Sequence, residues 1–225
     1  MSSKKNVMSN KIILFDLDGT LIDTAPDLVL SLNKLLKKHN LPLAPYAIAR
    51  NESSNGSKGL VSLGFKKNNS SLIKEFIEIY QNNICVKSKL FPSINELLDE
   101  LKSYNIQWGV VTNKPKKLTR KLLSLINLSV KPSIVVCGDE LPKRKPDPIQ
   151  IEFAINKLNI NKNDCIYVGD ALRDIQAGKA AGIRTIAVRY GYIRVNEDPY
   201  NWQADIVINK ASSIIEGIKK LGFIN

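Results

Sequence analysis

The sequence predicts an α/β fold: a parallel sheet with helices on both faces, plus an all-helical cap inserted after the first strand. Three observations carry this expectation. Short, continuous apolar runs recur along the chain, the pattern of strands buried on both faces. Amphipathic stretches of helical length separate most of them, and strands alternating with helices build a parallel sheet. One long segment, residues 24–88, breaks the alternation, with helical apolar spacing and no convincing strand.

At 225 residues the chain fits one large domain or one domain with an insertion. Residues 1–10 are polar and basic and read as a flexible tail. Ile12-Ile13-Leu14-Phe15 is the first strand, and it runs into Asp16-Leu17-Asp18-Gly19-Thr20. In the inserted segment Leu28, Leu32, Leu35 and Leu36 mark one helix, and Leu72, Ile73, Phe76, Ile77 and Tyr80 mark another. Between them, Arg50 through Gly59 is polar and reads as a loop. An insertion at this point sits over the carboxyl ends of the strands, where open α/β sheets bind ligands. Further strands are expected at 108–111, 134–137, 165–168, 183–188 and 206–208, with helices at 94–104, 116–125, 149–158 and 172–181. The expected division is therefore a core of 11–23 and 89–225, and a helical cap domain of 24–88.

Composition removes several classes of chemistry. The single histidine, His39, excludes His-rich zinc sites, two-His iron sites and paired histidine phosphotransfer centres. A Ser-His-Asp triad would have to use His39, which lies in the polar run Lys37-Lys38-His39-Asn40 at a helix end and reads as a solvated terminal residue. Cys85, Cys137 and Cys165 are odd in number and form no CxxC pair, which points to a reducing compartment. No run approaches the ~18 apolar residues of a membrane span, and the apolar run after the basic start is too short for a signal peptide. A cytoplasmic protein without a membrane partner is expected.

The 33 basic residues exceed the 21 acidic ones by 12, which makes an anion the first partner to consider. A basic nucleic-acid-binding module is the non-enzymatic alternative. Only Arg189-Tyr190-Gly191-Tyr192 with Arg194 interleaves aromatic and basic residues, and no binding motif or basic helix is recognisable. Lysine outnumbers arginine 26 to 7 and is spread along the whole chain, so most of the excess reads as a solvated surface.

Four clusters can carry chemistry. Asp16 and Asp18, two apart at a strand end, project to one side and put two carboxylates on one site. Such a pair needs a cation or a shared proton; the bland alternative is an ordinary Asp-Gly turn. Thr112 and Asn113, at the end of a later strand, form a phosphate-oxygen site or simply cap the helix that Pro115 starts. In the proline-stiffened Lys143-Arg144-Lys145-Pro146-Asp147-Pro148, Lys145 is the candidate for a fixed positive charge. Asp170 and Asp174, one helical turn apart after a buried strand, add two carboxylates to the same rim. Oxygen ligands without His or Cys suit Mg²⁺.

This ordered set, Asp16-Leu17-Asp18-Gly19-Thr20, Thr112-Asn113, Lys145-Pro146, and Gly169-Asp170 through Asp174, resembles the four motifs of the haloacid dehalogenase superfamily of phosphatases. The resemblance spans nearly the whole chain beyond the tail and implies a Rossmann-like core with a helical cap. Within the superfamily the text is similar to the phosphoglycolate phosphatases. Segments such as Ser88-Lys89-Leu90-Phe91 and Asn201-Trp202-Gln203-Ala204-Asp205 look closer still to bacterial N-acetylmuramic acid 6-phosphate phosphatases.

Carried over, the resemblance implies a Mg²⁺-dependent phosphomonoesterase. Asp16 would be the nucleophile that forms an aspartyl-phosphate, and Asp18 the general acid and base. Mg²⁺ would be held by Asp16, the Asp18 carbonyl, Asp170 and, directly or through water, Asp174. Thr112, Asn113 and Lys145 would meet the phosphoryl group, and Asp23 would be structural near the cap hinge. The implied partner is a small phosphorylated metabolite bearing a carboxylate, 2-phosphoglycolate or N-acetylmuramate 6-phosphate, with no nucleic acid. Arg50, Asn55, Ser57 and Lys58 are the cap candidates for contacting it; a solvated loop with incidental charge is the alternative. A sugar phosphate mutase shares the motifs, and a phosphonate hydrolase would need a cap lysine, for which Lys58 is the candidate. Monomer and homodimer are both open.

Overall fold

A computed structural model describes residues 10–66 and 70–224. Of the expected tail only Asn10 falls within them.

The core is a six-stranded, all-parallel sheet of β1 (Ile12–Phe15), β4 (Gln107–Val111), β5 (Ile134–Val136), β6 (Cys165–Gly169), β7 (Arg184–Val188) and β8 (Ile206–Ile208). Its order is β5-β4-β1-β6-β7-β8, which puts β1 near the centre between β4 and β6. Side chains alternate across a strand, and the two faces separate accordingly. Ile13, Phe15, Trp108, Val110, Ile166, Val168, Ile186 and Val188 pack into one apolar cluster, whereas Ile12, Leu14, Val111, Cys165 and Tyr167 pack into the other. The first cluster is closed by α5 (Ile94–Ser103), α6 (Lys116–Leu125) and α9 (Ile214–Lys220), and the second by α7 (Ile149–Lys157) and α8 (Leu172–Ala180). Both faces are thus covered, as the continuous apolar runs require.

The excursion after β1 differs from the expectation in two respects. It is bracketed by a small antiparallel pair, β2 (Ile22–Asp23) and β3 (Lys89–Leu90), too short to carry a period-two signal. Between these strands lie α1 (Ala25–Lys38), α2 (Tyr46–Glu52), α3 (Gly56–Ser62) and α4 (Ser70–Asn82). The polar stretch 50–59 is therefore not a loop but mainly the end of α2, a 3₁₀ turn (Ser53–Asn55) and the start of α3. Only Ala49, Ser53, Leu60 and Val61 are buried along 46–62, so helical periodicity there is faint. The base of the excursion is stapled: Asp27, fully buried in α1, accepts the Lys87 N–H at 2.8 Å and the Ser88 N–H and hydroxyl at 2.9 and 2.6 Å.

Candidate active site

The carboxyl ends of β1, β4 and β6 form one rim. Phe15 and Val168 are register partners, so Asp16 and Asp170, just beyond their strands, emerge side by side. Asp174 follows in the first turn of α8, where its Oδ2 accepts the Ala171 N–H at 3.0 Å. One carboxylate oxygen of each of Asp16, Asp170 and Asp174 lies within 4.8 Å of the others, and all three residues are buried. Burial pushes the Asp170 carboxyl up to about 7, with the charges of Asp16 and Asp174 adding to the rise. Burial raises Asp174 as well, against the pull of Lys145.

Lys145 supplies part of the missing positive charge. Its three ammonium protons go to Asp16 Oδ1 at 2.8 Å, the Val111 carbonyl at 2.9 Å and the Tyr167 hydroxyl at 2.7 Å. Asp174 Oδ1 also lies 2.8 Å from the ammonium, yet it is buried without a hydrogen bond. Burial works against the Lys145 charge, but Asp16 and Asp174 outweigh it and hold the group above the usual lysine range. Lys145, with the Arg173 guanidinium nearby, still leaves three buried carboxylates with negative charge uncompensated. A divalent cation with oxygen ligands fits this set of clustered, buried carboxylate oxygens.

The loop after β1 is shaped to this cluster. Gly19 has φ +92°, and a β-carbon there would lie 2.2 Å from Asp170 Oδ2, so any side chain collides with that carboxylate. Thr20 donates its hydroxyl to Asp170 Oδ1 at 2.9 Å, and the Tyr192 N–H takes Oδ2 at 2.8 Å. The Asp18 carboxylate stands apart from the cluster. Its Oδ1 accepts the Thr24 hydroxyl at 2.6 Å and the Lys114 ammonium at 2.9 Å.

Thr112 and Asn113 take different places from the helix-capping alternative. The first N–H of α6, on Lys116, goes to Asp139 at 2.7 Å. Asn113 spends its side chain in a reciprocal pair with the Lys145 backbone, both bonds 3.0 Å, which fixes the lysine loop against β4. The Thr112 hydroxyl accepts the Lys114 N–H at 3.2 Å and keeps its own proton to donate.

A cavity of about 540 Å³ lies between this rim and the helical excursion. Asp16, Asp18, Thr112, Asn113 and Lys145 line one side of it, and Asn55, Ser57 and Lys58 face them. Arg50 does not line it. Its guanidinium donates to the Gly191 carbonyl at 3.0 Å, lies 3.7 Å from Asp23 Oδ2 and sits over the Tyr192 ring at 4.9 Å. Its charge is consumed in a clasp onto the core, not presented to the cavity. Glu52 with Arg194, at 2.7 and 2.9 Å, and Ser54 with Arg173, at 2.6 and 2.9 Å, extend that clasp.

Sequence reasoning missed Lys114, Tyr80 and Arg173, all of which line the cavity. Lys114 and Arg173 lie inside the motif segments, but two more cations in a chain with 33 do not stand out. Ile73, Phe76, Ile77 and Leu118 appear in the sequence only as helix faces, and here they form the apolar wall of the cavity.

The comparisons with known proteins agree with this geometry. Residues 13–188 match the family model of the haloacid dehalogenase-like hydrolases. The chain is 38% identical over 207 residues to an N-acetylmuramic acid 6-phosphate phosphatase of Pseudomonas putida, covering 90% of this chain and 93% of that one. It is 33% identical over 210 residues to a phosphoglycolate phosphatase of Xanthomonas campestris, covering 92% and 95%. A crystal structure described as a predicted phosphoglycolate phosphatase from Haemophilus somnus superposes with TM-score 0.83 at 31% identity, over 93% of this chain and 98% of that one. With the four motifs gathered on one rim and these relatives matched nearly end to end, the chain belongs to the haloacid dehalogenase-like hydrolase family and is a phosphatase.

Proposed function

We propose that this phosphatase is a Mg²⁺-dependent phosphomonoesterase that works through an aspartyl-phosphate and prefers N-acetylmuramate 6-phosphate to 2-phosphoglycolate. The size and lining of the cavity carry the preference. A two-carbon phosphoester fills a minor part of about 540 Å³ and leaves Leu28, Ile73, Phe76, Ile77 and Leu118 facing water. A phosphorylated sugar with apolar substituents covers that wall, and burial of apolar area is what such a wall contributes to binding.

In this reading Asp16 attacks phosphorus and Lys145 balances its charge, since both are buried and in contact. Asp18, outside the carboxylate cluster, gives a proton to the leaving sugar oxygen and then takes one from the hydrolytic water. Asp16, Asp170 and Asp174 would hold Mg²⁺, with the Asp18 carbonyl as a further ligand. When bound, the ion supplies positive charge against the phosphoryl oxygens. Thr112 donates its hydroxyl to the phosphoryl group, and the Asn113 side chain keeps Lys145 in place. Residues 24–88 act as the cap, and Lys58, exposed on the cavity wall, is the cap cation for the substrate carboxylate.

Turnover of the two substrates at matched concentrations tests the preference. A kcat/KM at least tenfold higher for N-acetylmuramate 6-phosphate is expected. Equal values, or a higher value for 2-phosphoglycolate, would overturn it.

A further inference from the structure

We propose that Lys114 is a positioning residue for the Asp18 carboxylate, anchored from the cap by the Tyr80 hydroxyl. The inference rests on the acid-base role given to Asp18 above and adds the residues that aim it. Lys114 is 9% exposed, and its ammonium bridges Asp18 Oδ1 and the Tyr80 hydroxyl, each at 2.9 Å, while lying 4.7 Å from the centre of the Tyr80 ring. Tyr80 is 1% exposed on α4, so the side chain that fixes the lysine comes from the cap and not from the core.

Asp18 Oδ1 also receives the Thr24 hydroxyl, and that donation has a structural condition. Thr24 precedes α1 and would ordinarily turn its hydroxyl inward to cap the helix. No side-chain cap is made there. The N2 residue is Pro26, which has no N–H, and the Asp27 N–H goes to the Thr24 carbonyl at 3.2 Å, so the threonine hydroxyl is left to Asp18. The Tyr192 hydroxyl accepts the Thr24 and Ala25 N–H groups at 2.6 and 2.8 Å. Two donors therefore hold one oxygen of Asp18. The other oxygen has no hydrogen bond among the described residues and is the one left to exchange a proton with substrate or water. A carboxylate gripped through one oxygen has a fixed rotamer, which general acid-base catalysis needs more than binding does.

The test compares wild type, Lys114→Met, Lys114→Arg, Tyr80→Phe and Asp18→Asn, each checked for native circular dichroism. The substrates are N-acetylmuramate 6-phosphate and p-nitrophenyl phosphate. Lys114→Met should lower kcat at least tenfold on the sugar phosphate with KM within about threefold. Lys114→Arg should recover part of that loss, and Tyr80→Phe should lose about threefold in kcat. A KM raised tenfold in Lys114→Met with kcat unchanged would make Lys114 a substrate ligand and overturn the inference. So would wild-type kcat in both Lys114→Met and Tyr80→Phe while Asp18→Asn is impaired. Should Lys114→Met not fold, the Tyr80→Phe kcat decides. Wild-type kcat in Asp18→Asn, or no turnover of either ester by the wild type, would instead overturn the underlying assignment.

Discussion

At the rim of the cavity Asp16, Asp170, Asp174 and Lys145 are 5% exposed or less, and each is held by named donors or ion pairs. Across the cavity Ser57, Ile73 and Ile77 are only half-buried and Lys58 is exposed. Asp16 and Asp170 sit just past strand ends whose register is set by the central sheet, Asp174 in the first turn of α8 and Lys145 in a loop tied to Asn113; the facing wall sits on the short helix α3 and on α4. Charges aimed by rigid strands can be placed to fractions of an ångström, and chemistry depends on that precision. A wall of half-buried side chains tolerates change, and selectivity by apolar contact needs only shape and area.

The sharpest way to break this contrast is at the nucleophile. Asp16→Asn should lower kcat by on the order of 10⁴-fold or more on every phosphoester while the fold persists, read by phosphate release and circular dichroism. Comparable activity in that variant would remove Asp16 from the chemistry. Removal of divalent cations with EDTA should reduce turnover to background, and added Mg²⁺ should restore it; full activity after exhaustive chelation would refute a metal at the acidic cluster.

The wall should answer differently. Ile73→Ala with Ile77→Ala should cost about tenfold in kcat/KM for N-acetylmuramate 6-phosphate and leave p-nitrophenyl phosphate turnover within about twofold. Equal losses on both would show that the wall serves catalysis and not choice. The smallest effect belongs to the clasp. Arg50→Ala should change kcat less than about threefold and lower the thermal midpoint by a few degrees, because a partly exposed ion pair contributes only about 0.2–1 kcal/mol. A tenfold rise in KM would return Arg50 to the substrate.

The same contrast explains what the sequence disclosed. Asp16, Asp18 and Asp170 were legible because buried strands leave continuous apolar runs, and the polar residues that follow such a run mark the rim, whereas Lys145 was legible because prolines stiffen the loop that carries it. The strand 206–208 and the helix 116–125 emerged with the bounds that the structure gives them. The helical excursion was legible only as helical spacing. Arg50 and Lys58 look alike in a polar string, yet one turns to Gly191 and the other to the cavity, a difference of helix face between two segments broken at Gly56, where φ is +62°. The links from Asp18 to Lys114 and from Asp27 to Ser88 join residues 96 and 61 positions apart, and no local pattern encodes such pairs.

The Asp27 staple makes the helical excursion a modular part. Because the chain is closed at the foot of the excursion, the core experiences the 60 or so residues above it as one tethered loop whose two ends are already fixed. The closure entropy of such a loop grows only logarithmically, by about 0.6 kcal/mol for each doubling of length. Segments of different length can therefore be exchanged above the staple at little cost in closure entropy, provided they keep the apolar packing against the sheet and a hydroxyl for Lys114. Grafting the corresponding helical segment of a related phosphatase between Asp27 and Ser88 is thus the economical way to ask whether this segment sets the substrate range.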